Sequence, residues 1–167
     1  MHDELKKSEK ESGAGINPQR AEIIRIARSW LGTPYHHHAQ VKGVGADCAT
    51  FIAEVFFEAG LVERFKVENY SPQWHLHRNS EKYMNRILEY AHEVTEPKPG
   101  DIVLWKFGRT YSHAGIVLEW PFIIHEYISS GCVIDDMTKA KWLRRIGENS
   151  IDRGKERPVK FFSHWRD

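Results

Sequence analysis

Hydrophobic positions in the first third of the chain recur at helical spacing. In "NPQRAEIIRIARSWLG" the apolar residues lie three or four positions apart, which predicts an amphipathic helix. Asn17 is placed to cap its first turn, Pro18 suits the first helical position, and Gly32 stands where the helix should end. The predicted apolar face consists of Ile23, Ile24, Ala27, Trp30 and Leu31.

Two more helices are predicted before the helical spacing of apolar residues gives way to strand patterns. The segment "DCATFIAEVFFEAG" has Asp47 as its natural N-cap, a dense apolar run through Phe56, and Gly60 as its stop. Because this helix is apolar on nearly all sides, we expect it to be deeply buried. Residues 79–92, "NSEKYMNRILEYAH", predict a third and more amphipathic helix.

The second half of the chain consists of short apolar runs separated by turn signals. After the turn at Pro99 and Gly100 come "DIVLWKF", "SHAGIVLEW", "FIIHEY" and "GCVIDD", a pattern typical of an antiparallel meander. The segment "MTKAKWLRR" predicts a short helix, and "RPVKFF" a last strand. Helices followed by strands indicate an α+β domain rather than alternating βαβ units.

Composition narrows the class of protein. At 167 residues and 41% apolar content the chain fits one globular domain, predicted over 17–167, with residues 1–16 as a polar, flexible tail. The net charge is +1, and positive and negative residues are interspersed along the chain, so the sequence shows no basic patch of the kind that binds nucleic acid. No segment approaches the roughly 20 apolar residues of a membrane span. The N-terminus lacks the apolar run of a secretory signal, so we expect synthesis in the cytoplasm.

Cys48 is a candidate nucleophile. It directly follows the N-cap Asp47, where the partial positive charge of a helix start favours a thiolate and predicts a lowered pKa. Gly43 and Gly45 allow a sharp turn that leaves the sulfur exposed at the helix end. The alternative is a buried structural cysteine, the role we expect for Cys132 in its strand. Two cysteines in a domain of this size do not make a disulfide framework.

Two strand histidines complete a possible catalytic set. His113 begins an apolar strand, where it can face a cleft and accept a proton. His125 lies on the next strand, and a hairpin turning at residues 120–121 would place it roughly opposite Ile116, or nearer His113 with a longer turn. For each histidine alone, a structural role in the core or at its rim is the better interpretation. Together with Cys48 they predict a nucleophile, a base and an orienting residue.

These motifs resemble the NlpC/P60 family of cysteine peptidases. "ARSWLGTPY" followed by "GVGADC" is similar to the family's approach to its nucleophile, and "KPGDIVLWKF", "SHAGIVL" and "FIIHEY" are similar to its strands. The resemblance implies a papain-like fold with the cysteine helix packed on an antiparallel sheet. It also implies Cys48 as nucleophile, His113 as general base and His125 as the orienting third member. Tyr35 would position substrate or the oxyanion, together with the backbone N–H of Cys48.

A narrower resemblance points to the cell-wall peptidases of phages and gene transfer agents. Their pattern of "TPY", a histidine-containing loop, "GVG" and "DC" is echoed here, as is "YSPQW". Delivery to the wall by a virion, with phage tail proteins as partners, would follow. The chain departs from the family at Ala49 and Thr50, where Ser-Gly is usual, which affects local packing and a hydrogen bond near the nucleophile.

His36, His37 and His38 follow Tyr35 directly. Adjacent residues of an extended loop point in alternating directions, so three in a row do not easily share one tetrahedral metal. We therefore predict no metal here, and the cysteine-peptidase chemistry that the resemblance implies requires no organic cofactor. The remaining interpretations are a polar rim of the cleft that contacts an anionic peptide, and solvated loop residues without a specific role. Asp47 borders the same rim, as a cap rather than an acid catalyst.

Three functional hypotheses follow. The first is a cysteine endopeptidase acting on peptidoglycan stem peptides, for which the resemblance implies the bond between D-γ-glutamate and a diamino acid. The second keeps the fold but acts as an amidase or acyltransferase on another acyl substrate, and predicts a hydrophobic groove. The third is a catalytically weak tail-assembly module, for which the altered residues after Cys48 are the argument.

Overall fold

The computed structural model describes residues 15, 17–71, 81–144 and 153–167, and the predicted N-terminal tail lies almost wholly outside them. Three α-helices and one short 3₁₀ helix are described: α1 (Pro18–Ser29), α2 (Cys48–Glu58), α3 (Lys82–Leu88) and η1 (Lys141–Leu143). The strands are β1 (Gln40–Val41), β2 (Gly45–Ala46), β3 (His92–Val94), β4 (Ile102–Phe107), β5 (Thr110–Glu119), β6 (Phe122–Tyr127), β7 (Gly131–Asp136) and β8 (Val159–Ser163).

Six strands form one antiparallel sheet in the order β3-β8-β4-β5-β6-β7. The meander predicted from the second half of the sequence is therefore confirmed for β4 to β7, which pair with their neighbours in the chain. β8 returns from the end of the chain and pairs between β3 and β4. The small β1–β2 hairpin lies outside this sheet, directly before α2.

Alternation along the strands gives the sheet two apolar faces. The first, here called the helix face, carries Ala114, Ile116 and Ile124, which pack with residues of α1 and α2 in one core cluster. The second, here called the Trp142 face, carries Val103, Val117 and Ile123 with Trp105, and is covered by Trp142 and Leu143 of the 3₁₀ helix η1. The α+β class with helices on an antiparallel sheet is confirmed.

Several boundaries differ from those that the sequence predicts. The predicted helix 79–92 is described only as Lys82–Leu88, since 79 and 80 lie outside the described residues and His92 already belongs to β3. Within the described part of the segment "MTKAKWLRR", Lys141–Leu143 form one 3₁₀ turn rather than an α-helix. The β1–β2 hairpin was not predicted, because its strands of two residues are too short to show a period. Among the described residues, no helix is long and apolar enough to cross a membrane.

Candidate active site

Cys48 is the first residue of α2, and Asp47 caps the helix as predicted. The Asp47 backbone is extended, and its Oδ1 accepts from the N–H of Ala49 and of Thr50 at 3.1 and 3.0 Å. The Thr50 hydroxyl in turn accepts from the Asp47 N–H at 2.9 Å. This reciprocal capping box satisfies amides that a helix start leaves open. Thr50, unusual at its position, therefore has a structural partner within the cap.

The Cys48 sulfur lies against the backbone of β5 on both sides of His113. Sγ is 3.6 Å from the carbonyl oxygen of Ser112, and the N–H of Ala114 donates toward it from the other side. A β-bulge makes this possible: Trp105 pairs with His113 and Lys106 with Tyr111, so Ser112 has no partner residue on β4. Bulges locally re-aim the strand. Among the described residues, no hydrogen bond joins Sγ to the His113 ring.

The environment of Cys48 corrects the predicted direction of its pKa. Burial raises the pKa of the thiol to about 12, and the negative charge of Asp47 adds to the effect. The backbone N–H groups of Ala114, Cys48 and Ala49 oppose the rise but do not reverse it. The favourable field of the helix start is thus outweighed by desolvation and by the capping carboxylate. In this structure Cys48 is a neutral thiol at pH 7.

His113 and His125 meet at the Trp142 face of the sheet. His113 Nε2 is 2.7 Å from His125 Nδ1, with both rings buried. Trp142, Trp105 and Tyr127 pack around His113 at ring-centroid distances of 5.1 to 5.8 Å. This apolar enclosure lowers the pKa of His113 well below its usual range, and His125 contributes in the same direction. Both candidate partners, thiol and imidazole, are therefore neutral.

The register of β5 and β6 explains how the two histidines meet. Ile116 pairs with Ile124, so His125 lies one position further along than the predicted alignment with Ile116. His125 thus comes beside Gly115, where an added Cβ would lie 3.2 Å from the His125 Cβ and 3.1 Å from the Ile124 carbonyl oxygen. The absence of a side chain at Gly115 accommodates this close approach. His113 on β5 and His125 on β6 are then close enough for their rings to form a hydrogen bond.

A fourth side chain, Asp135, continues the series and was not predicted. Its Oδ2 is 2.9 Å from His125 Nε2 and accepts the Trp142 indole N–H at 3.0 Å. Asp135 lies on β7, two residues beyond Val133, which pairs with His125. Such diagonal neighbours are within reach across a sheet. The signal was present in "FIIHEYISSGCVIDD", since a hairpin turning at Ile128–Ser130 brings residue 135 to that diagonal.

The three consecutive histidines fall into two roles. His37 and His38 contact the segment Glu68–Tyr70: His37 Nε2 is 2.8 Å from the Tyr70 carbonyl oxygen, and His38 Nε2 is 2.9 Å from that of Glu68. His36 is exposed, and its ring covers the backbone of Gly45. Among the described residues, no group of three or more metal-ligating side chains converges.

Asp47 connects this histidine loop to Cys48. Its Oδ2 accepts the backbone N–H of His38 at 2.7 Å and the Tyr70 hydroxyl at 2.5 Å, and it lies 3.5 Å from His37 Nδ1. Since Oδ1 caps α2, one carboxylate ties together the start of the cysteine helix, the histidine loop and Tyr70. The loop therefore positions a segment beside the thiol, a role that neither sequence interpretation described.

Two further tyrosines border the thiol. Tyr35 makes an isolated bridge to Ala46, and burial raises the pKa of its hydroxyl, with a further contribution from the charge of Asp47. The Tyr83 hydroxyl donates to the carbonyl oxygen of Cys48 at 3.4 Å. Tyr35 was expected from the sequence near the thiol, whereas Tyr83 was not singled out. Its sequence signal was only that of one aromatic residue on an amphipathic helix.

Glu126 is a buried carboxyl group on the helix face. It follows His125 on β6 and, by strand alternation, points to the opposite side of the sheet. The side chain has no exposed surface, and neither carboxyl oxygen has a hydrogen-bond partner among the described residues. Burial raises its pKa to about 8, and Asp47 adds to the shift. Glu126 is therefore mostly protonated at pH 7.

An apolar cavity of about 500 Å³ opens beside Cys48. It lies between α2 and α3, and Glu68–Ser71 contribute to its wall. Its apolar lining includes Ile52, Phe56, Phe57, Phe65, Tyr83 and Ile87. Residues 72–80, which hold part of the motif "YSPQW", lie outside the described residues. The cavity has the size and lining typical of a small-molecule or side-chain pocket.

Comparisons with known proteins identify relatives of this chain. Residues 32–149 match the model of the NlpC/P60 family. Over 129 residues the chain is 26% identical to the murein DD-endopeptidase MepS/murein LD-carboxypeptidase of Escherichia coli K12, covering 77% of this chain and 61% of that protein. The protein of the same name from Escherichia coli O157:H7 matches equally. The chain thus spans less than two thirds of these curated relatives.

Solved structures share the fold. The NlpC/P60 domain of the peptidoglycan hydrolase SagA superposes with a TM-score of 0.50 at 19% identity, covering 74% of this chain and 92% of that one. NlpC1 from Trichomonas vaginalis gives a TM-score of 0.59 at 14% identity, covering 90% of this chain and 45% of that one. At such identities the likeness concerns the fold alone.

Proposed function

The chain belongs to the NlpC/P60 family, and from this membership we propose that it is a cysteine peptidase that hydrolyses peptidoglycan stem peptides. One observation carries the proposal. A cysteine at the start of a buried helix lies against the strand segment that holds His113, and His113 is hydrogen-bonded to a second buried histidine at 2.7 Å. The relatives, a murein endopeptidase and a peptidoglycan hydrolase, support this substrate class.

The proposed reaction begins with attack of the Cys48 sulfur on an amide carbonyl carbon. Since the pKa of the thiol is raised and that of His113 is lowered, the proton leaves sulfur for His113 only as the C–S bond forms. The carbonyl oxygen becomes an oxyanion, for which the Cys48 N–H and the Tyr35 hydroxyl are the proposed donors. The amides of Ala49 and Thr50 are already held by Asp47.

The second half of the reaction returns the enzyme to its starting state. The proton on His113 passes to the leaving amine as the C–N bond breaks, which leaves a thioester on Cys48. His113 then takes a proton from water, whose oxygen attacks the thioester carbon. Breakage of the C–S bond releases a carboxylic acid and restores the thiol. In this scheme His125 holds the His113 ring and stabilises its cation.

Two bonds are candidates within the stem peptide. The family resemblance favours the bond between D-γ-glutamate and a diamino acid, which we propose first. The Escherichia coli relatives are both murein DD-endopeptidase and murein LD-carboxypeptidase, and the first of these activities supports a cross-link between D-centres as the second candidate. The two bonds give products of different mass.

Muropeptide analysis tests the proposal. Purified sacculi are incubated with wild type, Cys48→Ala, His113→Ala and Cys132→Ala, and the soluble products are analysed by mass spectrometry. We expect fragments from wild type and from Cys132→Ala, which removes the other thiol, and none from the first two variants. Thermal melts check that every variant is folded.

The outcomes separate the parts of the proposal. The masses assign the bond to one of the two candidates. If wild type leaves sacculi and defined soluble stem peptides intact, the peptidase proposal is wrong. Activity that survives in Cys48→Ala would exclude Cys48 as nucleophile.

The apolar cavity favours a second candidate, an amidase or acyltransferase with an aliphatic acyl substrate. The lining beside Cys48 is mainly aliphatic and aromatic, whereas a stem peptide is polar. Acetyl and octanoyl thioesters distinguish the two: an acyl enzyme should prefer the longer chain, and Ala53→Leu, which narrows the cavity, should remove the preference. Equal rates for both chain lengths would contradict this candidate.

Association with a phage tail and delivery by a virion remain proposals. They are supported by the pattern "TPY", "GVG" and "DC", whereas the curated relatives are bacterial. Antibody detection of the chain in purified virions of the source strain, with a whole-cell extract as control, tests both. Its presence only in cells would contradict them.

A further inference from the structure

The strongest unassigned feature of the site is the series of hydrogen bonds that ends at Asp135. It runs from His113 Nε2 to His125 Nδ1 at 2.7 Å, and from His125 Nε2 to Asp135 Oδ2 at 2.9 Å. Asp135 is partly exposed, while His125 is completely buried. The series thus leads from the candidate base, through a buried ring, to a carboxylate near solvent.

Starting from Asp135, each hydrogen bond determines which nitrogen of the next histidine ring carries the hydrogen. A carboxylate only accepts hydrogen bonds, so His125 Nε2 must carry the hydrogen. In the imidazole tautomer that carries its one hydrogen on Nε2, His125 Nδ1 is an acceptor. His113 Nε2 must then be the donor to it. His113 Nδ1 is left as the ring nitrogen with the lone pair, which is the form that a general base requires.

Asp135 is held in its ionised form by two donors. The pKa of its carboxyl group is lowered, chiefly by the hydrogen bond from His125 and also by that from Trp142. Trp142 donates its indole N–H at 3.0 Å, and its ring packs against His113 and His125 at centroid distances of 5.1 and 5.3 Å. One side chain therefore orients the carboxylate and confines both histidine rings.

We propose that Asp135 is a positioning residue of the active site, which acts through His125 to keep His113 in the tautomer that accepts the thiol proton. This inference rests on the proposed function, since it assigns the base its starting protonation. Asp135 contacts neither substrate nor sulfur in this scheme. Its effect should therefore fall on kcat, with KM unchanged.

The test compares Asp135→Asn and Asp135→Ala with Asp136→Asn. Asp136 is the neighbouring carboxylate on β7, but it bonds Thr138 and Lys139 instead of the histidines. We expect Asp135→Ala to lower kcat about 10- to 100-fold. This is less than the roughly 10⁴-fold loss when a carboxylate directly bonded to the catalytic histidine is neutralised. Asp136→Asn should stay within about twofold, and Asp135→Glu should recover part of the loss.

A second measurement does not depend on activity. Long-range ¹H–¹⁵N correlations of labelled protein report histidine tautomers without substrate. Wild type should show His113 and His125 as Nε2–H forms, and Asp135→Ala should populate the Nδ1–H form of His125. Trp142→Phe, which keeps the ring and removes the N–H, should give a smaller shift of the same kind.

The outcomes are decisive in both directions. Unchanged tautomers in both Asp135 variants overturn the proposal, and so do shifted tautomers with an unchanged kcat. If wild type cleaves no stem peptide, the proposed function fails instead, while the tautomers still show whether Asp135 sets the state of His113.

Discussion

Strand β6 carries two completely buried ionisable residues in succession, and the surroundings of the two differ. His125 faces Trp142 and uses both ring nitrogens, one toward His113 and one toward Asp135. Glu126 faces the helices, and its carboxyl oxygens have no partner among the described residues. Both are 0% exposed. Burial with partners on both sides orients a side chain for chemistry, whereas burial without partners only changes its protonation and costs stability.

The same contrast extends to the two faces of the sheet. The Trp142 face holds the histidine series, which three strands build together. The helix face holds Cys48 and its cap, which neighbours in sequence build. If the proposed reaction is correct, the two halves act as one unit across β5, whose backbone contacts the Cys48 sulfur on both sides of His113. The predictions below test this division.

The largest expected effect comes from removing either reactive group. Cys48→Ala and His113→Ala should each lower kcat on a cleaved stem peptide by at least about 10³-fold, because neither group works alone. The double variant should be no slower than the slower single variant. Steady-state kinetics of the four proteins measure this. Multiplicative losses in the double variant would show that the two faces act independently.

The thiol should be much less reactive than a free cysteine. A pKa of about 12 against the ordinary 9.0 leaves about 10³-fold less thiolate at pH 7. In a Cys132→Ala background, alkylation of Cys48 by iodoacetamide should rise about tenfold per pH unit from pH 6 to 9. Asp47→Asn should speed it up, because Asp47 contributes to the raised pKa. A rate that is constant from pH 5 to 8 would instead indicate a preformed thiolate–imidazolium pair.

Loss of the Asp47 carboxylate should cost folding stability as well as activity. Asp47→Ala removes a helix cap and leaves the partly buried donors of His38 and Tyr70 without their partner, so we expect a loss of about 2–4 kcal/mol in the free energy of unfolding. Urea denaturation measures it. Glu58→Gln is the control at the other end of α2, since it only breaks an exposed pair with Lys42 and should cost less than about 1 kcal/mol. Similar losses in both would contradict the central role of Asp47.

Glu126→Gln should stabilise the protein increasingly as pH rises. The folded-state pKa of about 8 lies above the ordinary 4.5, so between these values the folded state holds a proton that the unfolded chain has released. Wild-type stability therefore falls with pH across this window, by roughly 1.4 kcal/mol per unit, and glutamine removes the dependence. The variant should gain up to about 3 kcal/mol relative to wild type between pH 5 and pH 7.5. Denaturation at three pH values tests this, and parallel profiles would contradict it.

The smallest effect is expected in the histidine loop. His37→Ala removes the contact with the Tyr70 carbonyl and should cost about 1 kcal/mol or less, because the site is partly exposed. Amide hydrogen exchange should increase in the segment 68–71. His36→Ala, the exposed neighbour, is the control and should leave that exchange unchanged. Equal increases in both variants would show that His37 does not hold the segment.

Local patterns in the sequence were enough for much of the fold. Helical spacing and the caps Asn17 and Asp47 predicted α1 and α2, and alternation predicted β4 to β7, because these signals lie within one element. The predicted end of α3 lies too far along the chain, since the chain enters β3 to pair with the distant β8. The predicted direction of the pKa shift of Cys48 was wrong for a related reason. The helix start is visible in sequence, but the desolvation comes from β5 and the tyrosines packed over it.

By itself the sequence determined which residues are candidates for the chemistry: a cysteine behind a helix cap and two histidines on successive strands, in an order that matches a known family. The tertiary structure decided how these groups are connected. Register placed His125 beside Gly115, a diagonal across the sheet added Asp135, and one carboxylate joined Cys48 to the histidine loop. Side-chain type and helix signals act over a few residues, whereas proton positions and pKa values depend on contacts between strands and loops that only folding brings together.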